Sequence, residues 1–317
     1  MTTSSPIRVL LAGEGAIAAT HMQALQGLDD VEVVCLAGGL PDDTARFAAE
    51  WGIPNYSLDY ELCLLRENLD AVILATPSPL HAQQATQALS AGKPVLVEIP
   101  MSLSLSEAEA LAKQTCASGQ ICMIAHTRRF NPSHREIRRR IQAGEFHLQH
   151  LVAETYFFRR DNRNMHGQPR TWTDHLLWHH ACHTVDLFAW LLEDSEIQVW
   201  GIQGPRHPTL GIAMDMTIGM RSVSGVMATL SLSFNNRGPF GSFYRYIGEE
   251  DTLHVFRDEL KNHEGHIIPL SGNGFALQDR EFFAAIREGR QPESSVESCL
   301  PAMRLLDQLD RQMNPLL

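Results

Sequence analysis

The sequence predicts an α/β chain of two domains. A doubly wound parallel sheet is expected over residues 1–126, followed by an α+β domain over 127–317 with a mostly antiparallel open sheet. Three observations carry this. Apolar strands alternate with helix-like segments as far as residue 125, the pattern of a parallel sheet covered on both faces. A glycine turn, Gly13-Glu14-Gly15-Ala16-Ile17-Ala18, sits between the first strand and the first helix. Beyond Pro132 the strands cluster, as they do in an antiparallel sheet packed by helices on one face.

Each element has a local reason. Ile7–Ala12 is a buried-strand run, and a helix pattern continues from the glycine turn to about Gly27. Val31–Leu36, Ala71–Ala75, Val95–Val97 and Ile121–Ala125 are further strands. Helices over Asp42–Trp51, Pro79–Ala91 and Ser106–Ser118 separate them. After Arg128-Arg-Phe-Asn-Pro132 comes a helix over Ser133–Ala143. Strands follow at Leu151–Phe158, Ile197–Ile202, Ala213–Met220, Gly225–Phe234, Tyr244–Ile247 and Thr252–Phe256. A helix over 174–192 would cover that sheet. Two C-terminal helices, 277–287 and 296–312, are expected to pack back on the first domain.

At 317 residues, two domains are the natural division. No apolar run approaches the ~20 residues a membrane span needs, and the polar start Met1–Pro6 lacks the pattern of a signal peptide. A cytoplasmic location and no membrane partner are therefore expected. The formal charge of −11 argues against a nucleic-acid partner. The six cysteines form no Cys-x-x-Cys pair and read as reduced thiols.

The glycine turn is the dinucleotide fingerprint in its proper context, which makes the first domain a Rossmann domain. Gly13 makes the tight turn, Gly15 lets the backbone approach a pyrophosphate, and Ala16 and Ile17 open the helix behind it. An NAD enzyme usually carries an acidic residue at the end of the second strand. Here that place reads Leu36-Ala37-Gly38-Gly39-Leu40. Without a carboxylate, Gly38 and its neighbours favour NADP over strict NAD. No arginine sits there either, so NAD stays possible, with Arg46 a remote candidate for the phosphate.

Four histidines fall within nine residues: His175, His179, His180 and His183. Imidazole exchanges protons freely near neutral pH. A regular helix over 174–192 aligns His175, His179, His183 and Asp186 along one stripe and leaves His180 off it. His179 and His183 are the expected catalytic pair, one as general base and one orienting the hydroxyl. A zinc reading of His-x-x-x-His lacks the usual glutamate, because residue 180 is His, so no metal is expected. Ten arginines lie between Arg128 and Arg170. Those at 135–140 read as a solvated helix face. Arg128, Arg160 and Arg170, with Trp172 and His180, are candidates to bind an anionic substrate.

Over nearly its whole length the chain resembles the glucose-fructose oxidoreductase/inositol dehydrogenase family. The matching motifs are Gly13-x-Gly15, Ala75-Thr-Pro-Ser-Pro-Leu-His81, Ala91-Gly-Lys-Pro-Val-Leu-Val-Glu-Ile-Pro100, Arg128-Arg-Phe-Asn-Pro132 and His183-x-x-Asp186. The resemblance implies that Thr76, Pro77, His81 and Glu98 line the nicotinamide site, and that His183 stands at the family's histidine position, which favours it as the base. It also implies use of the open sheet in a homodimer. Two departures stand out. The family's Glu-Lys-Pro is Glu98-Ile99-Pro100, so its usual lysine is absent, and its Asp-x-Gly-x-His becomes His179-x-Ala181-x-His183. A narrower resemblance, carried by Thr127–His134, Thr155–Arg160, Arg170–His180 and Ser231–Asn236, implies NADP-preferring oxidation of a small dicarboxylate semialdehyde. The reacting form would be its cyclic hemiacetal, and the product a lactone.

Overall fold

The computed structural model of the chain describes residues 5–164, 167–193 and 196–315. The chain divides into two units: Met1–Thr127 with Phe275–Leu300, and Arg128–Gly274 with Pro301–Leu317.

The first unit is built on β1 (Ile7–Ala12), α1 (Ala16–Leu25), β2 (Val31–Ala37), α2 (Pro41–Trp51), β3 (Tyr56–Ser57), α3 (Tyr60–Leu64), β4 (Ala71–Leu74), α4 (His81–Ser90), β5 (Val95–Val97), α5 (Leu105–Ser118) and β6 (Cys122–Ile124). Its six strands run in the order β3-β2-β1-β4-β5-β6, all parallel. Val9–Ala12, Ala71–Leu74 and Val95–Val97 are buried at every position. Such runs are stable only with helices on both faces, which explains the parallel arrangement. The strand order reverses between β1 and β4, and ligands of open α/β sheets sit at the carboxyl ends of such a pair.

The second unit contains α6 (Pro132–Gln142), β7 (Leu148–Tyr156), a π-helical turn over Leu176–Ala181, α7 (Cys182–Leu192), β8 (Ile197–Gln203), β9 (Asp215–Ser222), β10 (Met227–Ser233), β11 (Gly241–Gly248), β12 (Thr252–Phe256), β13 (Glu259–Lys261) and β14 (Ile267–Ile268). The sheet order is β14-β13-β12-β11-β7-β10-β9-β8. β7 and β10 pair in parallel, and the remaining neighbours are antiparallel. Alternation sorts the faces: Leu151, Ala153, Ile218, Leu230, Tyr246 and Val255 are buried, whereas Glu154, Trp200, Ile202, Thr217 and Arg245 are exposed. Leu177, Ala181, Val185 and Phe188 are buried, as the core side of a covering helix requires. The arginines of α6 behave as a solvated face, with Arg139 and Arg140 both paired to Glu136.

Two C-terminal helices complete the chain, α8 (Gly274–Glu288) and α9 (Val296–Met313). From Phe275 the chain belongs to the first unit, but only as far as Leu300. From Pro301 onward α9 belongs to the second unit, which corrects the expectation that both helices return whole to the first. Among the described residues, no helix is long and apolar enough to cross a membrane.

Candidate active site

Gly13 adopts φ +110, and a Cβ there would lie 2.3 Å from the Ala75 carbonyl oxygen. Only glycine lets the turn approach the end of β4 this closely. Gly15 then caps α1 without any side-chain hydrogen bond, and a Cβ on it would meet nothing within 4 Å. Ala16 and Ile17 are exposed beside it. The first N–H groups of α1 thus face open space, as a pyrophosphate cradle requires. These residues fit a dinucleotide, with Gly13, Gly15, Ala16 and Ile17 as its holders. Thr76 and Pro77 follow β4 and are half-buried; the Thr76 hydroxyl donates to Gln84 Oε1 at 2.6 Å.

The end of β2 differs from its expected state. Gly38 is needed for packing, because a Cβ there would sit 1.9 Å from Thr44 Oγ1. A carboxylate does reach this loop, from the glycine turn: Glu14 Oε1 accepts from the N–H groups of Gly39 at 2.9 Å and Leu40 at 3.0 Å. Arg46, the remote cation, is paired with Asp43.

His81 is buried, with its ring nitrogens 2.8 Å from the carbonyl oxygens of Pro100 and Thr76. Burial lowers its pKa, against the two carbonyl oxygens, which as acceptors favour a proton on each ring nitrogen; the ring lies between the segment after β4 and the one after β5. Glu98 is also largely buried, and its Oε1 lies 3.1 Å from His21 Nε2. The other nitrogen of His21 lies 2.9 Å from Asp279 Oδ2. Burial alone would push the His21 pKa down, but Asp279 and Glu98 outweigh it and lift it to about 10. His21 is therefore an imidazolium donating to both carboxylates. It escaped the sequence reading, although it shares the buried side of α1 with Ala18, Met22 and Leu25; its partner Asp279 lies 258 residues away.

A raised pKa stabilises the fold fully below imidazole's ordinary 6.5, and that contribution is lost as pH rises toward about 10. Thermal unfolding followed between pH 6.5 and 10 should therefore decline less steeply for His21→Gln than for the native chain. Equal slopes would show that His21 is not charged in the fold.

In the second unit, the stripe expected of a regular helix over 174–192 is not formed. His175 has extended backbone (φ −128, ψ 163) and precedes the helix, His179 and His180 lie in the π-turn, and His183 is on the first turn of α7. A π-turn takes in an extra residue, so neighbouring side chains leave in new directions. The His175 N–H donates to His179 Nδ1 at 3.2 Å. That places the proton of a neutral His179 ring on Nε2, making it a donor there. Its ring stacks on Trp172 with centroids 5.7 Å apart. His175 faces a cavity of about 160 Å³ with Gln203, Arg206 and Asp310; burial lowers its pKa. Among the described residues, the four histidines do not bring three ligand atoms close enough to share a metal ion.

Asp174 gathers the cations. Arg159 and Arg170 both pair with it, and His180 Nε2 approaches it at 3.4 Å between the rings of Phe157 and Phe234. Burial would raise the Asp174 carboxyl, but His180 and Arg159 outweigh that and hold it far below the usual carboxylate range. Arg170 also donates to Asn162 Oδ1 at 3.0 Å and lies over Trp172. Arg170 and His180, expected on substrate, are thus engaged by Asp174. Asp186 forms a buried bidentate pair with Arg129. Arg128 falls in another group, over Tyr244 and 3.9 Å from Asp258.

Arg160 is different. It lies over the Phe158 ring at 4.4 Å, and Arg237 lies over the same ring at 4.7 Å. Among the described residues neither pairs with a carboxylate. The parallel pairing of β7 and β10 brings Phe158 and Arg237 to the same end of the sheet, where Phe158 bridges to Asn235. Arg237 could be found only by knowing that pairing.

The Rossmann sheet, the open helix cradle and the histidine–arginine cluster define a nicotinamide-dinucleotide-dependent oxidoreductase. Residues 7–126 match the model of the oxidoreductase family with an NAD-binding Rossmann fold, and 132–273 match that of the C-terminal region of bacterial oxidoreductases. The chain belongs to the glucose-fructose oxidoreductase/inositol dehydrogenase (Gfo/Idh/MocA) family. It is similar to the 4-carboxy-2-hydroxymuconate-6-semialdehyde dehydrogenase of Sphingobium sp., 47% identical over 97% of this chain and 99% of that protein. Its fold is shared with a scyllo-inositol dehydrogenase from Lactobacillus casei solved with NAD(H) (TM-score 0.81, 19% identity, 98% of each chain). A 3-ketoreductase from Actinomadura kijaniata solved with NADP is equally close (TM-score 0.81, 22% identity, 98% of each chain).

Proposed function

We propose that this chain oxidises the cyclic hemiacetal of 4-carboxy-2-hydroxymuconate-6-semialdehyde to the lactone 2-pyrone-4,6-dicarboxylate, in protocatechuate 4,5-cleavage, with NADP or NAD as the hydride acceptor. The observation that carries the reading is the convergence of Arg160 and Arg237 on Phe158. Each guanidinium lies over the Phe158 ring without a carboxylate partner among the described residues, and a dicarboxylate would supply one to each. The 47% identity to a dehydrogenase of that name supports the same substrate.

A nicotinamide dinucleotide held at Gly13, Gly15, Ala16 and Ile17 would supply the hydride acceptor for the hemiacetal carbon. The chain must then take the hydroxyl proton as the carbonyl forms. No lysine follows Glu98, so an imidazole takes that part: His183 as the base, and His179 as the donor that orients the substrate through Nε2–H. Arg160 and Arg237 hold the carboxylates.

The deciding experiment follows the absorbance of reduced nicotinamide with the ring-cleavage product of protocatechuate and each cofactor in turn. Reduction of neither would end this reading, as would a clear preference for scyllo-inositol. A charge-assisted hydrogen bond is worth roughly 1.5–3 kcal/mol. Arg160→Ala and Arg237→Ala should each raise KM by about tenfold or more, with a smaller effect on kcat. An unchanged KM in both variants would remove the arginines from the site.

A further inference from the structure

Glu14 is the middle residue of the glycine turn, and its carboxylate lies over the loop that follows β2. It accepts from Gly39 N–H at 2.9 Å through Oε1 and at 3.1 Å through Oε2, and from Leu40 N–H at 3.0 Å. β2 ends at Ala37, so these are the second and third residues beyond the strand. In a Rossmann domain this is where the 2′ position of the adenosine ribose lies, as a hydroxyl in NAD or a phosphate in NADP. Here the loop has no acidic side chain of its own before Asp42. The turn that cradles the pyrophosphate supplies one instead.

We propose that Glu14 sets the preference of this chain between NADP and NAD, by competing with the 2′-phosphate for the N–H groups of Gly39 and Leu40. The proposal rests on the dinucleotide reading of the first unit. With the carboxylate in place, a ribose 2′-hydroxyl has an acceptor to donate to, and a phosphate meets a like charge. With the carboxylate swung out, the same two N–H groups are donors for the phosphate oxygens. Glu14 can make that exchange because it is only half-buried, between the exposed Gly15 and the exposed Gly39. The surrounding charges do not decide the matter. Asp42 and Asp43 are acidic, and Arg46 on the same helix is paired with Asp43. The charge that lies on the Gly39 and Leu40 N–H groups themselves is that of Glu14.

The test is calorimetric titration of the full chain, native, Glu14→Gln and Glu14→Ala, with 2′,5′-ADP and with 5′-AMP, the adenosine halves of the two cofactors. NADP and NAD are then titrated in the same way. Removing the carboxylate should shift the affinity ratio of 2′,5′-ADP to 5′-AMP at least tenfold toward the phosphate-bearing fragment, and NADP over NAD likewise. Glu14→Gln, which keeps an acceptor but loses the charge, should fall between. A ratio within twofold of the native one in both variants, or a shift toward 5′-AMP, would overturn the proposal. If the native chain bound none of these nucleotides, the dinucleotide reading itself would fall, and that outcome is distinct from an unchanged ratio.

Discussion

His183→Ala is expected to lower turnover by about 10²–10⁴-fold, the usual contribution of a positioned general base, while cofactor affinity stays near its native value. His179 should respond differently, and the hydrogen bond it accepts from His175 N–H is the reason. Its neutral ring carries the proton on Nε2, so it donates at that atom. A glutamine amide can donate as well but cannot take up a proton. His179→Gln should therefore keep much more activity than His179→Ala, whereas His183→Gln should be as poor as His183→Ala. Steady-state kcat for the four variants separates the roles. Near-normal turnover of His183→Ala would end the assignment of the base, and equal losses in the two His179 variants would end that of the donor.

Arg129→Met is expected to destabilise the second unit by about 3–5 kcal/mol, the cost of leaving a buried charge without its partner. The guanidinium donates to Asp186 through Nε at 2.8 Å and Nη2 at 2.6 Å, and the two side chains are 3% and 1% exposed. Neither charge has solvent to fall back on. The pair need not be a large net gain, since desolvating both groups offsets much of their attraction. Arg129→Met with Asp186→Leu should therefore recover much of the loss. Denaturant midpoints for the native chain, the single and the double variant decide it. A double variant no more stable than the single one would show that the bidentate pair is a net source of stability here.

The sheets were legible because their signal is local. Val95–Val97 and Thr252–Phe256 are the strands the apolar runs mark, to the residue. The elements β3, α3, β13 and β14 span only two to five residues, too short for a periodicity to mark them. The site was legible only as a set of candidates. A periodicity argument assumes a constant turn per residue, so it could not foresee the π-turn or the pairing of Asp186 with Arg129. The position after β2 looked empty of acid because its acid belongs to another segment. His21 and Arg237 needed long-range information: the return of α8 for one, and the parallel pairing of β7 with β10 for the other. Arg159 and Arg170 stand out in the sequence as cations, but Asp174, which takes up both, cannot be placed beside Arg159 by counting residues.

The π-turn over Leu176–Ala181 also behaves as a joint between two independently adjustable rotations. Downstream, Val185 and Phe188 keep α7 fixed against its core, and its hydrophobic phase tolerates no drift. Upstream, the one surplus residue lets His179 and His180 be aimed without disturbing that phase. One points to Trp172 and the other to Asp174. The chain thereby uncouples how the helix is anchored from where its imidazoles look, and changes confined to these six residues can retune the chemistry while the scaffold behind them stays as it is.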